Sequence, residues 1–506
     1  MDQEASPLSF AMQLPEILHK IMQFLPHSDL ICCTFVNTLW EREARIHLLA
    51  RYDLDLHPDS MNAYMTTMSP RSNCHERVNY GVQKHVMFSV YHPDSVEMLE
   101  KFVTLNPCKV KHLKLDWYLD GTKTSEKKYL EILAKFTNLS SLQVQPISIN
   151  HRNSEKICHT DNFPKLRKFG IDGLFVSSQI HNEVENQVVI RDFMARMFPL
   201  FPNLTALELA WIGKTGLEHV LVQGNFPKLK SLSLANCDLD WGPEAQKRFE
   251  PFGPLWKPSF SLNRLGFNVF VKYLDIYGLI LLEKFASELE YLHIFRIPVR
   301  LWEGVPAEML GVPGGGGDGG DVRIPVLPKL KVLKISYNLD GKLDDNERIV
   351  PYFRFEGKNK VAKTREVPYK EHFPLLEKIL FCEDYLSKGF GEEEAYLKRY
   401  EMFVKLLCIS FLSDSTAPCS SVIRVELPAP PEGFRVKIVQ GGGEIWVDEK
   451  NLYDRIVRVF PNLECDVLDL WESVRLKKRV MYEPKYVSAP VSWTKLMKLL
   501  KPTGEK

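Results

Sequence analysis

One phrase recurs along most of this chain, and it restricts the fold more than any other feature. The phrase begins with Phe-Pro-x-Leu and continues with alternating aliphatic residues, as in FPKLRKFGI at Phe163, FPNLTALEL at Phe201 and FPKLKSLSL at Phe226. With looser copies included, its aliphatic part starts at residues 110, 139, 166, 204, 229, 262, 289, 330, 376, 422 and 463. Each copy is expected to form a strand whose aliphatic side chains point inward and stack on those of the next copy. The sequence therefore predicts an α/β fold, a solenoid with a curved parallel β-sheet and with helices and loops on its convex side.

The fullest copy, LKSLSLANCDL from Leu229, resembles the strand of a leucine-rich repeat, because Cys237 and Leu239 complete the pattern L-x-x-L-x-L-x-x-C-x-L. Successive copies start 25 to 46 residues apart, whereas simple repeats of this class take about 20 to 29 residues. The resemblance therefore implies an irregular array of about ten to eleven repeats over residues 93–506. Loop insertions are predicted near 306–325, 340–370 and 440–450, and the last of these looks like a hairpin turn.

The residues between the inward aliphatics are predicted to line the concave face, which is the usual binding surface of such arrays. These outward residues combine charges with aromatic rings, and that mixture suits a protein ligand better than a uniform polyanion. Few of them are expected to carry most of the binding energy. The candidate substrate-binding residues are Lys114, Asp116, Asp172, Glu208, Arg264, Asn268, Tyr291, His293, Phe295, Lys334 and Glu426. Trp117 and Trp211 lie just past their strands.

An apolar segment near the N-terminus predicts three short helices. Pro15 suits a first helical turn, apolar residues then recur at three-and-four spacing, and Pro26 ends this helix. Ser28 and Asn37 can cap the second and third helices. Three helices in roughly forty residues cannot bury all of their apolar side chains internally. Part of their apolar surface is therefore expected to dock against something else.

This segment resembles the F-box motif. The motif is matched, in order and without a gap, by Leu14-Pro15-Glu16-Ile17-Leu18, Ile21, Leu25-Pro26, Asp29-Leu30, Val36 and Trp40. Asn37 stands where the family commonly has a cysteine. F-box helices pack on a Skp-type adaptor. The resemblance therefore implies adaptor-binding roles for Leu14, Pro15, Ile17, Leu18, Ile21, Leu25, Leu30, Val36 and Trp40.

An F-box at 8–50, a linker at 51–92 and repeats over 93–506 together resemble the F-box/leucine-rich-repeat substrate receptors of SCF-type ubiquitin ligases. The resemblance implies that the adaptor joins the chain to cullin and RING subunits, while the repeats hold an unidentified protein substrate. One alternative is a non-catalytic leucine-rich-repeat scaffold not linked to ubiquitin, in which the N-terminal helices cap the first repeat against residues 93–115. Another is a hydrolase built on a solenoid, which would need a nucleophile and a base within hydrogen-bond reach.

Composition and spacing limit the function further. The chain has 65 basic and 64 acidic side chains, which gives no electrostatic reason to expect a nucleic-acid or membrane partner. It contains no C-x-x-C, H-E-x-x-H or G-x-S-x-G motif, so we expect no enzymatic activity, no metal and no cofactor. The longest apolar run, from Met402 to Leu412, is too short to span a bilayer. With ten cysteines and no evident signal peptide, the chain is predicted to carry reduced thiols in the cytoplasm, the nucleus or both.

Overall fold

The protein is a mixed α/β chain that divides into two compact units. One unit contains Met1–Leu204 with Pro484–Lys506, and the other contains Thr205–Glu483. The computed structural model describes residues 15–25, 27–51, 54–56, 85–88, 95–105, 110–119, 123–149, 163–173, 183–224, 226–235, 258–268, 276–298, 322–338, 353–356, 363–364, 367–383, 393–428, 430–431, 433–440, 443–464, 467–469, 471 and 491–492.

The first unit opens with three helices, α1 (Pro15–Phe24), α2 (His27–Cys33) and α3 (Thr38–Arg51). The first begins at Pro15, where the missing N–H of proline costs nothing. The Asn37 side chain caps α3 as predicted, because its Oδ1 accepts hydrogen bonds of 3.0 Å from the amides of Leu39 and Trp40. Both α1 and α2 pack against α3.

A parallel sheet follows in the same unit. Its strands are β1 (Leu54–Leu56), β2 (His85–Phe88), β3 (His112–Leu119), β4 (Ser141–Ile149) and β5 (Lys168–Asp172). Each strand pairs with the next one, and Val491–Ser492 pairs with β1. The helices of this part are α4 (Ser95–Leu105), α5 (Lys123–Ala134) and α6 (Glu183–Met197).

The stretch 51–92, predicted to be an irregular linker, contains β1 and β2. These strands are three and four residues long, too short for the period-two alternation that identifies a strand in a sequence. They are held by parallel pairing to each other and of β2 to β3, and the local sequence does not encode such pairing.

The second unit contains the remaining strands. They are β6 (Ala206–Ala210), β7 (Ser231–Ala235), β8 (Arg264–Asn268), β9 (Tyr291–Pro298), β10 (Val322–Ile324), β11 (Val332–Asn338), β12 (Phe353–Glu356), β13 (Lys363–Thr364), β14 (Lys378–Glu383), β15 (Arg424–Glu426), β16 (Arg435–Gln440) and β17 (Gly443–Asp448). Seven of these form a parallel sheet in the order β6-β7-β8-β9-β11-β14-β15. The helices are α7 (Lys214–Glu218), α8 (Ile276–Phe285), α9 (Tyr369–His372), α10 (Glu393–Leu406) and α11 (Glu449–Val459).

The predicted insertions differ in their outcomes. Strands β16 and β17 pair antiparallel, with Gln440 opposite Gly443, as the predicted hairpin requires. The glycine-rich run 311–321 and most of 340–370 lie outside the described residues. Within the two segments predicted as loops, β10 and β12 pair in parallel and β12 pairs with β13. Strands of two to four residues carry too little periodicity to be recognised in a sequence.

The recurring phrase forms a repeated turn followed by a strand. The leucine amide bonds to the carbonyl of the residue three positions earlier, with distances of 3.1 Å for Leu166 to Phe163, 3.0 Å for Leu229 to Phe226 and 3.1 Å for Leu376 to Phe373. Proline after the phenylalanine favours this turn because its ring presets φ.

Ten of the eleven predicted copies lead into strands, namely β3 to β9, β11, β14 and β15. The eleventh prediction, at Leu463, is wrong, since 461–464 form a turn and 467–469 are helical. Asp466 occupies an aliphatic slot there, so that copy lacks one of the buried side chains that hold a strand in place.

A second repeated hydrogen bond fixes the register between copies. The carbonyl just before one strand accepts bonds from two consecutive amides of the next copy, as Lys331 does from Glu377 and Lys378, both at 2.9 Å. The same arrangement recurs at Lys111, Ser140, Thr205, Lys230, Asn263, Glu290 and Glu377. It aligns the inward side chains of the second unit in one buried row, which consists of Leu207, Leu232, Leu265, Leu292, Leu333, Ile379 and Val425.

Candidate functional site

The inward row of the second unit leaves the alternate residues on the opposite face of its sheet. The strand register pairs these outward residues in a second row, which runs Glu208, Ser233, Gly266, His293, Lys334, Leu380 and Glu426. Arg264 pairs with Tyr291, and Asn268 pairs with Phe295. The sheet therefore brings together eight of the candidate substrate-binding residues, namely Glu208, Arg264, Asn268, Tyr291, His293, Phe295, Lys334 and Glu426.

The other three candidates, Lys114, Asp116 and Asp172, belong to the first unit. Lys114 is half-buried and pairs with Gln143. Asp116 was predicted to line an accessible face, but it is only 2% exposed, and Gln145 opposite it is 7% exposed. Alternation assigns a residue to one side of a strand but does not tell whether that side is covered. Asp116 is therefore a poor contact residue in this structure.

Trp211, which follows β6, has a left-handed backbone with a φ of 56°. This conformation is uncommon for a residue other than glycine. The Trp211 amide donates a 2.9 Å hydrogen bond to the carbonyl of Ala235, at the end of β7. That bond holds the half-buried indole group where the chain leaves the sheet.

The densest part of the face is an aromatic strip on β9, made of Tyr291, His293 and Phe295. The Arg264 guanidinium lies 4.4 Å from the centre of the Tyr291 ring, a cation–π contact. The ring centres of His293 and Phe295 are 3.8 Å apart. A Cβ atom on Gly266 would lie 2.9 Å from the Phe295 ring. A glycine at this position of β8 is thus what leaves room for the Phe295 ring.

Burial and a neighbouring positive charge keep His293, at the centre of this strip, uncharged. The His293 Nε2 lies 2.8 Å from the Ser336 Oγ. Burial of His293, and secondarily the nearby Lys334 ammonium, lower its pKa to about 3. Burial also raises the pKa of the Cys382 thiol, so this thiol stays protonated and is a poor nucleophile.

The imidazole of His293 is expected to stay neutral throughout the pH range from 8 to about 4.5. An unfolded chain binds a proton at this residue near pH 6.5, and the folded chain does so only near pH 3. The stabilisation from the neutral group is therefore fully present above pH about 6.5 and is lost as the pH falls towards 3.

Lys334→Met should raise the pKa of His293, whereas Lys331→Met, which removes the partner of Glu290, should not. NMR titration of the His293 ring measures both, and an ordinary pKa in the unmodified chain would contradict this account.

The three N-terminal helices have an apolar cluster of their own. Its buried members are Leu18, Met22, Leu30, Cys33 and Ala44, with Leu25, Leu39, Trp40 and Leu48 packed against them. All of these residues come from the segment 18–48. The side chains of α1 and α3 also meet at polar atoms, since His19 Nδ1 lies 3.5 Å from Glu43 and 3.1 Å from His47 Nε2.

The predicted adaptor-binding residues divide between the inside and the outside of this helical unit. Leu18 and Leu30 are fully buried in the cluster, so they hold the helices together here. Ile17 is 36% exposed and Val36 58% exposed. Pro15, Ile21, Leu25 and Trp40 are half-buried, and Leu14 lies outside the described residues.

Two further apolar side chains are more exposed than any of the predicted ones that the structure describes. Phe24 is 85% exposed and Phe35 is 78% exposed. The resemblance to the F-box motif does not single them out, because neither is a position of the motif. One of these phenylalanines lies at the end of α1 and the other just after α2. Exposed apolar side chains of this kind mark surfaces that bind other proteins.

Within the described residues, no group of three or more histidine, cysteine, aspartate or glutamate side chains could hold a metal ion. No helix in the part of the chain that the structure describes is both long enough and apolar enough to cross a membrane. No protein-family model matches the sequence, and no match is found among the curated proteins.

Proposed function

We propose that this chain is the substrate-recognition subunit of an SCF-type cullin–RING ubiquitin ligase. Its F-box binds a Skp-type adaptor, and its leucine-rich repeats bind the target protein. The observation that carries the proposal is the N-terminal helical unit. It has its own core between Leu18 and Leu48 and still exposes Ile17, Phe24, Phe35 and Val36. An internally packed module with apolar side chains outside is well suited to docking on another protein.

The second part of the proposal is that the parallel strands belong to an irregular leucine-rich-repeat solenoid. Three repeated features support it: the Phe-Pro-x-Leu turn, the paired amides donating to one carbonyl, and the buried row from Leu207 to Val425. Each copy buries its aliphatics against the next, which is how repeat proteins build a continuous core. The outward face of the sheet then becomes the substrate-binding surface.

The proposed mechanism is proximity. In this mechanism the chain does not need to supply a catalytic group. It holds a substrate lysine near the conjugating enzyme on the RING subunit, which makes their encounter intramolecular. The ligase would act in the cytoplasm, the nucleus or both.

Reconstitution tests the proposal. The chain should co-elute with a purified cullin–RING pair in gel filtration when a Skp-type adaptor is added, and it should elute separately when the adaptor is omitted. Co-elution that does not depend on the adaptor, or none with the adaptor present, would overturn the proposal. The second outcome would favour the scaffold that is not linked to ubiquitin. The exposed Phe24 and Phe35 favour the adaptor, because a helical cap on a repeat would be expected to bury them.

A further inference from the structure

The outward face of β8, β9, β11 and β14 has an uneven distribution of charge. Three of its side chains are cationic, Arg264, Lys334 and Lys378, one each on β8, β11 and β14. The other described outward positions of these strands are Gly266, Asn268, Tyr291, His293, Phe295, Val332, Ser336, Leu380 and Cys382. None of these is a carboxylate. The face is therefore positive even though the whole chain is nearly neutral, with a net charge of +1.

The cations on this face are not neutralised within the described residues. Arg264 packs on the Tyr291 ring, and no ion pair joins Arg264, Lys334 or Lys378 to a described carboxylate. Elsewhere the same sheet does pair its charges, since Arg424 contacts Glu426 on β15 and Lys331 lies 3.6 Å from Glu290. The unpaired cations can therefore be neutralised by a ligand.

An apolar platform separates these cations. The His293 and Phe295 rings lie side by side on β9, the strand between β8 and β11. Arg264 on β8 is in register with Tyr291, and Lys334 on β11 is in register with His293. Adjacent strands are about 4.8 Å apart and every second residue along a strand is about 6.6 Å further on, so the backbones that carry Arg264 and Lys334 are about 12 Å apart. Four residues of an extended peptide span about 13 Å, and side chains two and four residues apart lie on the same face of the peptide. The geometry thus suits anionic side chains at every fourth residue, with an apolar side chain midway between them on the same face.

We propose that this face binds an acidic segment of a partner protein. Its anionic groups pair with Arg264, Lys334 and Lys378, and an apolar side chain packs on His293 and Phe295. Resting on the proposed function, this assignment gives the class of substrate that the receptor selects. The anions could be carboxylates or phosphates, because lysine and arginine bind both groups.

The test uses fluorescence anisotropy with three labelled peptides of equal length. Each contains three copies of a tetrapeptide, Glu-Ser-Leu-Ser, phosphoserine-Ser-Leu-Ser or Gln-Ser-Leu-Ser. The full chain should bind at least one of the two anionic peptides and bind the neutral peptide at least tenfold more weakly. The stronger of the two anionic peptides identifies the source of the charge. Equal binding of all three, or no binding of either anionic peptide, would overturn the proposal.

Paired variants assign the binding to this face. Arg264→Gln with Lys334→Gln should weaken anionic-peptide binding at least tenfold. The control is Lys228→Gln with Lys329→Gln, which removes two exposed lysines from the turns Phe226–Leu229 and Leu327–Leu330 and should leave the affinity within about twofold. Thermal melting checks that both double variants are folded. An equal loss in the two variants would show only net-charge attraction and would overturn the assignment.

The peptide-binding test and the test of the proposed function can fail independently of each other. Adaptor binding is measured on the same protein samples, and Arg264→Gln with Lys334→Gln should leave it unchanged. Adaptor binding without any peptide binding overturns this inference alone. Peptide binding without adaptor binding supports the inference and overturns the ubiquitin-ligase proposal.

Discussion

Replacement of Ile17 and Val36 together by glutamate is expected to weaken adaptor binding at least 100-fold and to leave the helical unit folded. Both side chains are partly exposed, at 36% and 58%, and surface substitutions usually change stability by less than about 0.5 kcal/mol. In a complex, however, the two carboxylates would lie in an apolar interface, where an unpaired charge costs several kcal/mol. A 100-fold loss corresponds to about 2.7 kcal/mol. Isothermal titration with a Skp-type adaptor measures the affinity, and circular dichroism measures the helix content.

The matched control places two glutamates on polar surface positions of the same helical unit. Gln23 on α1 and Thr38 on α3 are both exposed, and Gln23→Glu with Thr38→Glu adds the same charge. We expect this variant to bind within about fivefold of the unmodified chain. If both variants bind equally well, or lose affinity equally, the apolar surface is not the adaptor site.

The second large effect concerns two adjacent leucines in the copy that starts at Phe373. Leu376 is fully buried and Leu375 is 52% exposed, although both lie in the same turn before β14. Leu376→Ala should lower the free energy of unfolding by about 2 to 5 kcal/mol, because it removes buried apolar surface and leaves a cavity. Leu375→Ala should change it by less than about 0.5 kcal/mol.

Urea denaturation compares the overall stability of these two leucine variants. Hydrogen exchange of the β14 amides localises the change, and these amides should lose protection only in Leu376→Ala. Equal effects of the two substitutions would contradict the view that the turn fixes which leucine enters the core.

The regular part of this fold could be predicted because several physical signals coincide in each copy. Phe-Pro-x-Leu sets a turn, and two inward aliphatics define a strand direction. Ten such copies become strands. The copy with Asp466 lacks one of these signals, and the described residues on either side of it form a turn at 461–464 and a helix at 467–469. The strands β1 and β2 have no comparable local signal and depend on pairing with their neighbours.

The residues on the outward face of the sheet could likewise be predicted only in part. Alternation alone was enough to nominate Tyr291, His293 and Phe295. It could not identify Gly266 or Ser336, whose importance comes from contacts across strands. Those contacts depend on the register, which the repeated carbonyl bonds set. A register is a relation between distant segments, so no single copy contains it.

Titration of a Skp-type adaptor into the purified full chain, and into a chain lacking residues 1–50, tests the central claim most directly. The claim predicts saturable one-to-one binding by the full chain and none by the shortened chain, with both proteins shown to be folded by hydrogen exchange of the sheet amides. No binding by the intact, folded chain would contradict it.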